Sequence, residues 1–383
     1  MSNSTKPHSK NPRRHKLTQV DNRDGECLWR GPKTDGITFS MLSDFLVCKE
    51  RFRLKVVEGL EEPMGFNHSI EYGNYFHECE EARFNDRPWM DALRAYRDKL
   101  IDIHGTDIQE DINKWAAICK HQFPLYVAYW KKKEKNYNHL LEEQNFEVPY
   151  VLPSGRIINL RGKIDGVLTI GSGDKPNVFI QENKTKGFID SEAITSTMLF
   201  NLQPMLYFIA AQEIISRVKK YTETRKDKLM IPPSWEGWPS KMPSGILYNV
   251  IRRPLSDKYA IRIKKSETKT DFYKRVGQNI AENLEYYFQR HKVLVHNENV
   301  KDFKTKVFHP LLEHLCDWWE YIAEDPYHPW RSANNPHSQL HYQTPWGMFN
   351  SMFGGFRGDY YEYLTTGSKT KLKPIASLFP ELE

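Results

Sequence analysis

Glu182 and Lys184 stand two residues apart at the end of the apolar run Val178-Phe179-Ile180-Gln181-Glu182-Asn183-Lys184. A strand repeats every two residues, so Val178, Ile180, Glu182 and Lys184 project from one face. That face begins apolar and ends with a carboxylate beside an ammonium. An aspartate lies upstream in Gly162-Lys163-Ile164-Asp165-Gly166. Asp165 and Glu182 around a divalent cation, with Lys184 beside an attacking water, have the makings of a phosphodiester-cleaving centre. Plainer readings stand beside this one. Glu182 and Lys184 could form an exposed ion pair, and Asp165 could be a turn residue before Gly166.

Elements of both kinds must position these groups. Ser40 can cap a first helix carrying Leu42, Phe45, Leu46 and Phe52. A second helix is expected over about 69–84 and contains Gly73 and His77. Helical spacing of Trp89, Leu93, Tyr96, Leu100, Ile112, Trp115, Ile118, Leu125 and Tyr129 extends helix over 88–135. The run Lys131 to Lys135 reads as a solvated helix end or as a phosphate-binding patch. From Asn145 the period changes to two. Strands are expected over 146–151, 157–170 and 177–184, then a helix over 193–219 broken near Pro204. Another strand runs from Gly245 to Ile251 with Arg252 and Arg253 at its exit, and helices follow at about 269–290 and 305–323. Three strands followed by a helix suggest a mixed sheet packed on helices, an α/β fold.

The chain has 383 residues, 39% hydrophobic and 13% aromatic, enough for a sizeable core. Its formal charge of +6 favours a polyanionic partner weakly. No apolar run reaches the ~18 residues of a membrane span, and the N-terminus lacks a signal-peptide core. The cysteines Cys27, Cys48, Cys79, Cys119 and Cys316 form no CxxC pair. That argues against a zinc site or disulfide framework and for an intracellular, reducing setting. Residues 1–34 hold eight Lys or Arg against three acids, so 1–36 reads as a disordered basic tail.

In chain order, Gly73-x-x-x-His77, Gly162-Lys163-Ile164-Asp165, Glu182-Asn183-Lys184 and Gln203-Pro204-Met205-Leu206-Tyr207 resemble the RecB-type branch of the PD-(D/E)XK nuclease superfamily. The opening Phe39 to Phe52 and the strand Leu247 to Pro254 are similar to that branch as well. The resemblance implies a restriction-endonuclease-like core, a mixed central sheet flanked by helices, over 37–325 with a helical insertion at about 85–142. It implies metal ligation by His77, Asp165, Glu182 and the backbone carbonyl of Asn183, with Lys184 as the catalytic lysine. Gln203 and Tyr207, four apart on one helix face, become the DNA-side pair. Lys163, Lys186, Arg252 and Arg253 are expected on phosphates, and Glu81 is a further candidate ligand. Mg2+ or Mn2+ is the expected cofactor, the imidazole shifting preference toward Mn2+.

One family feature is missing. Many relatives bind a [4Fe–4S] cluster through one early cysteine and three late ones. Cys48 occupies the early position, but no cysteine follows Cys316, so no iron–sulfur cluster is expected. Residues 326–383 are instead expected to pack on the core through Trp330, Trp346, Phe349 and Phe353. No GxxxxGK[ST] phosphate loop is present, which leaves a helicase or recombination protein as a separate partner. The resemblance points to a DNA exonuclease of recombination, repair or phage DNA metabolism, in the cytoplasm of a bacterium or phage-infected host. A structure-specific endonuclease and a non-catalytic DNA-binding module are the alternatives.

Overall fold

The computed structural model describes residues 28–47, 49–61, 65–172, 176–224, 232, 235–256, 261–324, 360, 362, 366 and 368–382. Cys48, residues 1–27 and the four aromatics expected to close the C-terminal end lie outside them.

In chain order the elements are α1 (Phe39–Val47), α2 (Lys49–Phe52), β1 (Leu60–Glu61), α3 (His68–Phe84), α4 (Trp89–His104), α5 (Gln109–Lys133), β2 (Tyr137–Val151), β3 (Ile157–Ile170), β4 (Asn177–Lys186), α6 (Ser191–Thr197), α7 (Leu202–Thr224), β5 (Pro243–Arg252), α8 (Lys269–Glu282), α9 (Leu284–Tyr287), β6 (Phe288–Leu294), α10 (Asn297–Phe303), α11 (His309–Glu324) and β7 (Lys373–Pro374). The described chain divides into two compact units. The first comprises 1–63, 147–162 and 304–383, the second 64–146 and 163–303.

The first unit closes on aromatic edges. Trp29 meets Phe52 at 5.3 Å and Phe45 meets Trp318 at 5.5 Å between ring centroids, edge-to-face contacts that suit the ring quadrupoles. Trp29 is fully buried, and its indole donates to Gly36 O at 2.8 Å. Residues 28–36, expected within a disordered tail, are thus ordered. The Met41 amide donates to the Thr38 hydroxyl at 3.4 Å, which moves the α1 cap from Ser40 to Thr38. β1 pairs antiparallel with β7, and the Thr38 hydroxyl donates to Glu381 at 2.5 Å.

The five-stranded sheet has the order β2-β3-β4-β5-β6, and β4, β5 and β6 lie wholly in the second unit. β3–β4 and β5–β6 are antiparallel and β4–β5 is parallel. A parallel pair needs a long crossover, and α6 and α7 supply it, α7 packing on both strands. β4 and β5 are buried along most of their length, as expected where helices cover a sheet. Tyr72, Phe76, Phe123, Val276 and Ile280 from α3, α5 and α8 form a core with Ile251 of β5. Asn67 caps α3 by accepting from the Ser69 and Ile70 amides at 3.0 and 3.2 Å.

Three expected boundaries move. β2 begins at Tyr137 rather than near Asn145, which shortens the helical insertion. The helix expected over 193–219 breaks at 198–201, ahead of Pro204. The helix expected to reach 290 ends in α9, and the edge strand β6 follows it. Among the described residues, no helix is long and apolar enough to cross a membrane.

Candidate active site

Sheet register assembles the motif. β3 and β4 pair Gly166 with Gln181 and Val167 with Ile180. Continuing that register by one residue sets Asp165 against Glu182. The Asn183 amide donates to Asp165 Oδ2 at 2.5 Å. Both carboxylates are buried. Neither Glu182 oxygen has a well-aligned hydrogen-bond donor, while the Lys184 ammonium stands 2.5 Å from Oε1. A buried carboxylate is costly without cations around it. Burial works against the Lys184 charge, but Glu182 and Asp165 outweigh it and hold its pKa above the usual lysine value. Lys184 is thus a protonated cation at neutral pH.

α3 delivers His77. A Cβ at Gly73, one turn earlier, would lie 3.1 Å from Thr185 Oγ1, so glycine lets the helix approach β4 closely. His77 Nδ1 lies 2.8 Å from Glu143 Oε1. His77, Glu143 and Asp165 each offer a ligand atom within 4.8 Å of the others. Burial disfavours the imidazolium, yet Asp165, Glu143 and Glu80 overcome it and push His77 up to about 10. Burial and the Glu182 charge push Asp165 well above the ordinary carboxyl range.

Glu143 is a site residue the sequence reading missed. It sits in β2 with φ of 48°, a left-handed conformation that non-glycine residues adopt rarely and that concentrates at functional positions. Its Oε2 lies 3.2 Å from Lys163 Nζ, which also reaches Glu81 at 3.6 Å. Lys163, expected on a phosphate, is therefore engaged by carboxylates. Glu81, expected as a further ligand, also pairs with Arg87 at 3.1 Å. Burial would raise the Glu143 carboxyl, but His77 and Lys163 bring it below the usual value.

Glu80 is the second missed residue. It is buried, and accepts from Tyr126 Oη at 2.7 Å and from Asn183 Nδ2 at 3.0 Å. Asn249 Nδ2 donates to Asn183 Oδ1 at 2.9 Å. These bonds fix Asn183, the residue between Glu182 and Lys184. The available signal was spacing, since Glu80 is three residues after His77 and shares its side of α3.

The remaining expected residues lie on neighbouring elements. Gln203 Nε2 donates to Tyr207 Oη at 3.4 Å on α7, and Tyr207 meets Phe146 edge-on at 5.7 Å. β4 continues to Lys186, keeping it on the face of Lys184. Burial and Lys184 lower the Lys186 pKa. Arg252, paired in register with Lys186, is buried with its guanidinium 3.9 Å from the Tyr286 ring centroid. Arg253 follows it out of the strand.

The donor set suits a hard divalent cation. It offers carboxylates and one imidazole, and the buried Glu182 carboxylate lacks aligned donors of its own. Residues 37–322 match the family model described as the PD-(D/E)XK nuclease superfamily. No curated protein matches the chain.

Proposed function

The chain belongs to the PD-(D/E)XK nuclease superfamily, and from that premise we propose that it is a divalent-metal-dependent deoxyribonuclease, an exonuclease of the RecB type. The observation that carries this reading is Glu182, buried opposite Asp165 with the Lys184 ammonium 2.5 Å from its carboxylate. His77, Asp165 and Glu182 with the Asn183 backbone carbonyl hold Mg2+ or Mn2+, and Glu143 is placed to join them. The bound cation supplies charge neutralisation on the scissile phosphate and a nucleophilic water near neutral pH.

Each protein group then has a defined task. Lys184 keeps its proton, orients the water and offsets negative charge that develops on the phosphate. Glu143 holds the His77 ring by its Nδ1 edge, which leaves the other ring nitrogen to bind a cation once the imidazolium gives up its proton to make room for it. Glu80 and Asn249 hold the side-chain amide of Asn183, the residue between Glu182 and Lys184. Gln203 and Tyr207 line the DNA side, and Lys186 and Arg253 meet the phosphate backbone, whereas Arg252, also expected there, is buried and bonded to the Tyr286 and Gly187 carbonyls. Processing of DNA ends in recombination, repair or phage DNA metabolism is the role that fits, with a helicase or recombination protein as a separate partner.

The test is degradation of labelled linear DNA with Mg2+ or Mn2+, abolished in Asp165→Ala and Lys184→Ala. Wild-type protein that binds DNA but leaves it whole with both metals would sink the reading. Cleavage of a closed circle would replace the exonuclease by an endonuclease.

A further inference from the structure

Beyond Lys184 the character of β4 and β5 changes from acidic to basic and aromatic. Phe188, just past the end of β4, is 69% exposed, and Tyr286 on α9 is 41% exposed. Arg252 lies between them, its guanidinium carbon 5.6 Å from the Phe188 ring centroid and 3.9 Å from that of Tyr286. Its Nε donates to Tyr286 O at 3.2 Å and Nη1 to Gly187 O at 3.2 Å. Those bonds pin the guanidinium plane, and Arg252 works as the spacer of an aromatic–arginine–aromatic ladder.

A cavity of about 300 Å³ opens beside the ladder, lined by Arg252, Arg253, Leu255, Asn279, Asn283 and Tyr286 among others. Arg253 is half-buried, and its Nε donates to Ser256 Oγ at 2.7 Å. Neither Arg253 nor Lys186 pairs with a carboxylate among the described residues. Lys186 Nζ lies 5.5 Å from the Tyr248 ring centroid, and the Arg253 amide donates to Lys186 O at 2.8 Å. Half-buried cations without a carboxylate, Arg253 among them in a cavity shared with Arg252 and Tyr286 of the ladder, call for a ligand that is anionic along its backbone and flat in its side groups.

We propose that this ladder and cavity bind single-stranded DNA, bases stacking on Phe188 and Tyr286 while a phosphate enters the cavity at Arg253. A duplex keeps its bases stacked inside, so exposed rings have nothing to face there, whereas an unpaired strand offers its π faces freely. Glu182 and Lys186 are four residues apart on one strand, roughly 13 Å at ~3.3 Å per residue. A single strand of a few nucleotides can therefore occupy the ladder and the carboxylate site together. This deepens the nuclease reading and rests on it: the substrate reaches the site as an unpaired strand.

The experiment measures binding of a fluorescein-labelled oligo(dT) and of a blunt duplex of equal length to the full chain in EDTA, where hydrolysis is off. Wild-type protein is expected to prefer oligo(dT). Phe188→Ala and Tyr286→Ala are expected each to weaken oligo(dT) binding about ten-fold, with Phe188→Trp retaining it and duplex binding unchanged. Arg253→Gln is expected to reduce the slope of log affinity against log salt by about one. Phe188 is largely exposed, so its variants keep the fold, which circular dichroism verifies. Equal affinity of wild type and both alanine variants for oligo(dT), or a wild-type preference for duplex, would overturn the proposal. The hydrolysis assay is separate: binding as predicted without hydrolysis leaves the platform standing and removes the nuclease, and hydrolysis with indifferent variants does the reverse.

Discussion

Lys184 and Lys186 project from the same face of one strand, yet their surroundings push them in opposite directions. Glu182 and Asp165 raise Lys184 against the effect of burial, whereas burial and Lys184 itself lower Lys186. Two histidines repeat the contrast. His77 on α3 goes up to about 10 among carboxylates, and His291 on β6 goes down under burial and Lys186. Along some 13 Å of strand, roughly 3.3 Å per residue, the environment passes from crowded acids to uncompensated cations. The acidic end suits a cation and the basic end a polyanion. A nuclease needs both, and needs them adjacent: the cation where the bond breaks, the phosphate grip where the strand is held.

The sharpest break of this comparison is the pair Lys184→Ala and Lys186→Ala. If the two ends have separate tasks, Lys184→Ala lowers the hydrolysis rate by about 10²–10³-fold and leaves oligonucleotide binding in EDTA almost unchanged. Lys186→Ala does the opposite, weakening binding with the single-turnover rate intact at saturating DNA. Equal effects of both on the chemical step would dissolve the distinction. Glu143→Gln comes next. It keeps the side-chain shape but removes the charge beside His77, so metal affinity should fall about 10–100-fold. Activity should return at high Mn2+. Loss that no metal concentration restores would mean that Glu143 supports the fold and does not position a ligand.

The acidic end was the more legible in the sequence, but only in part. Asp165, Glu182 and Lys184 follow an apolar alternation, and His77 follows a helix pattern, so periodicity exposes them. Glu143 is invisible to such a pattern. The first half of β2 turns polar residues inward toward the site, with Leu141 buried beside the half-buried Glu142 and Glu143. Hydrophobic alternation therefore fails there, and by that pattern alone the strand starts near Asn145 although it begins at Tyr137. A site that buries charge breaks the local rule by which strands are found. β6 escaped for the reverse reason: Phe288-Gln289-Arg290-His291-Lys292-Val293-Leu294 is an edge strand with polar residues along it. The ladder of Phe188, Arg252 and Tyr286 draws on three separate segments, and only Arg252 stood out by type. Membership of the superfamily was legible because four short motifs keep their order even though each alone is weak.

A stability measurement sharpens the comparison from the folded-state side. Glu182 is buried opposite Asp165, and like charges in that position disfavour the fold without a cation. Glu182→Gln should therefore raise the melting temperature in EDTA by several degrees, on the scale of about 1–2 kcal/mol. Adding Mn2+ should stabilise the wild type through binding to the folded state and do little for the variant. Arg253→Gln, at the other end, should alter neither value by more than about 0.5 kcal/mol, since it changes a half-exposed side chain. A Glu182→Gln protein that melts lower in EDTA would show that the Lys184 ion pair alone compensates the buried charge.

The smallest effect concerns pH at the basic end. Burial and Lys186 depress the His291 imidazole below its ordinary value of 6.5. Between 6.5 and the depressed value the unfolded chain binds a proton that the folded chain refuses. Stability from this residue is thus complete above pH 6.5 and declines as the pH falls through the folded value. Lys186→Ala removes one of the two causes, so the decline should still begin near pH 6.5 but end sooner and be smaller in total. Melting curves at pH 7.5 and pH 5.5 test this, with a difference between wild type and variant of roughly a degree or two. Identical pH dependence in the two proteins would assign the shift to burial alone. The lysine would then act on a passing phosphate without disturbing its neighbours, and the cationic end would be weaker than its composition implies.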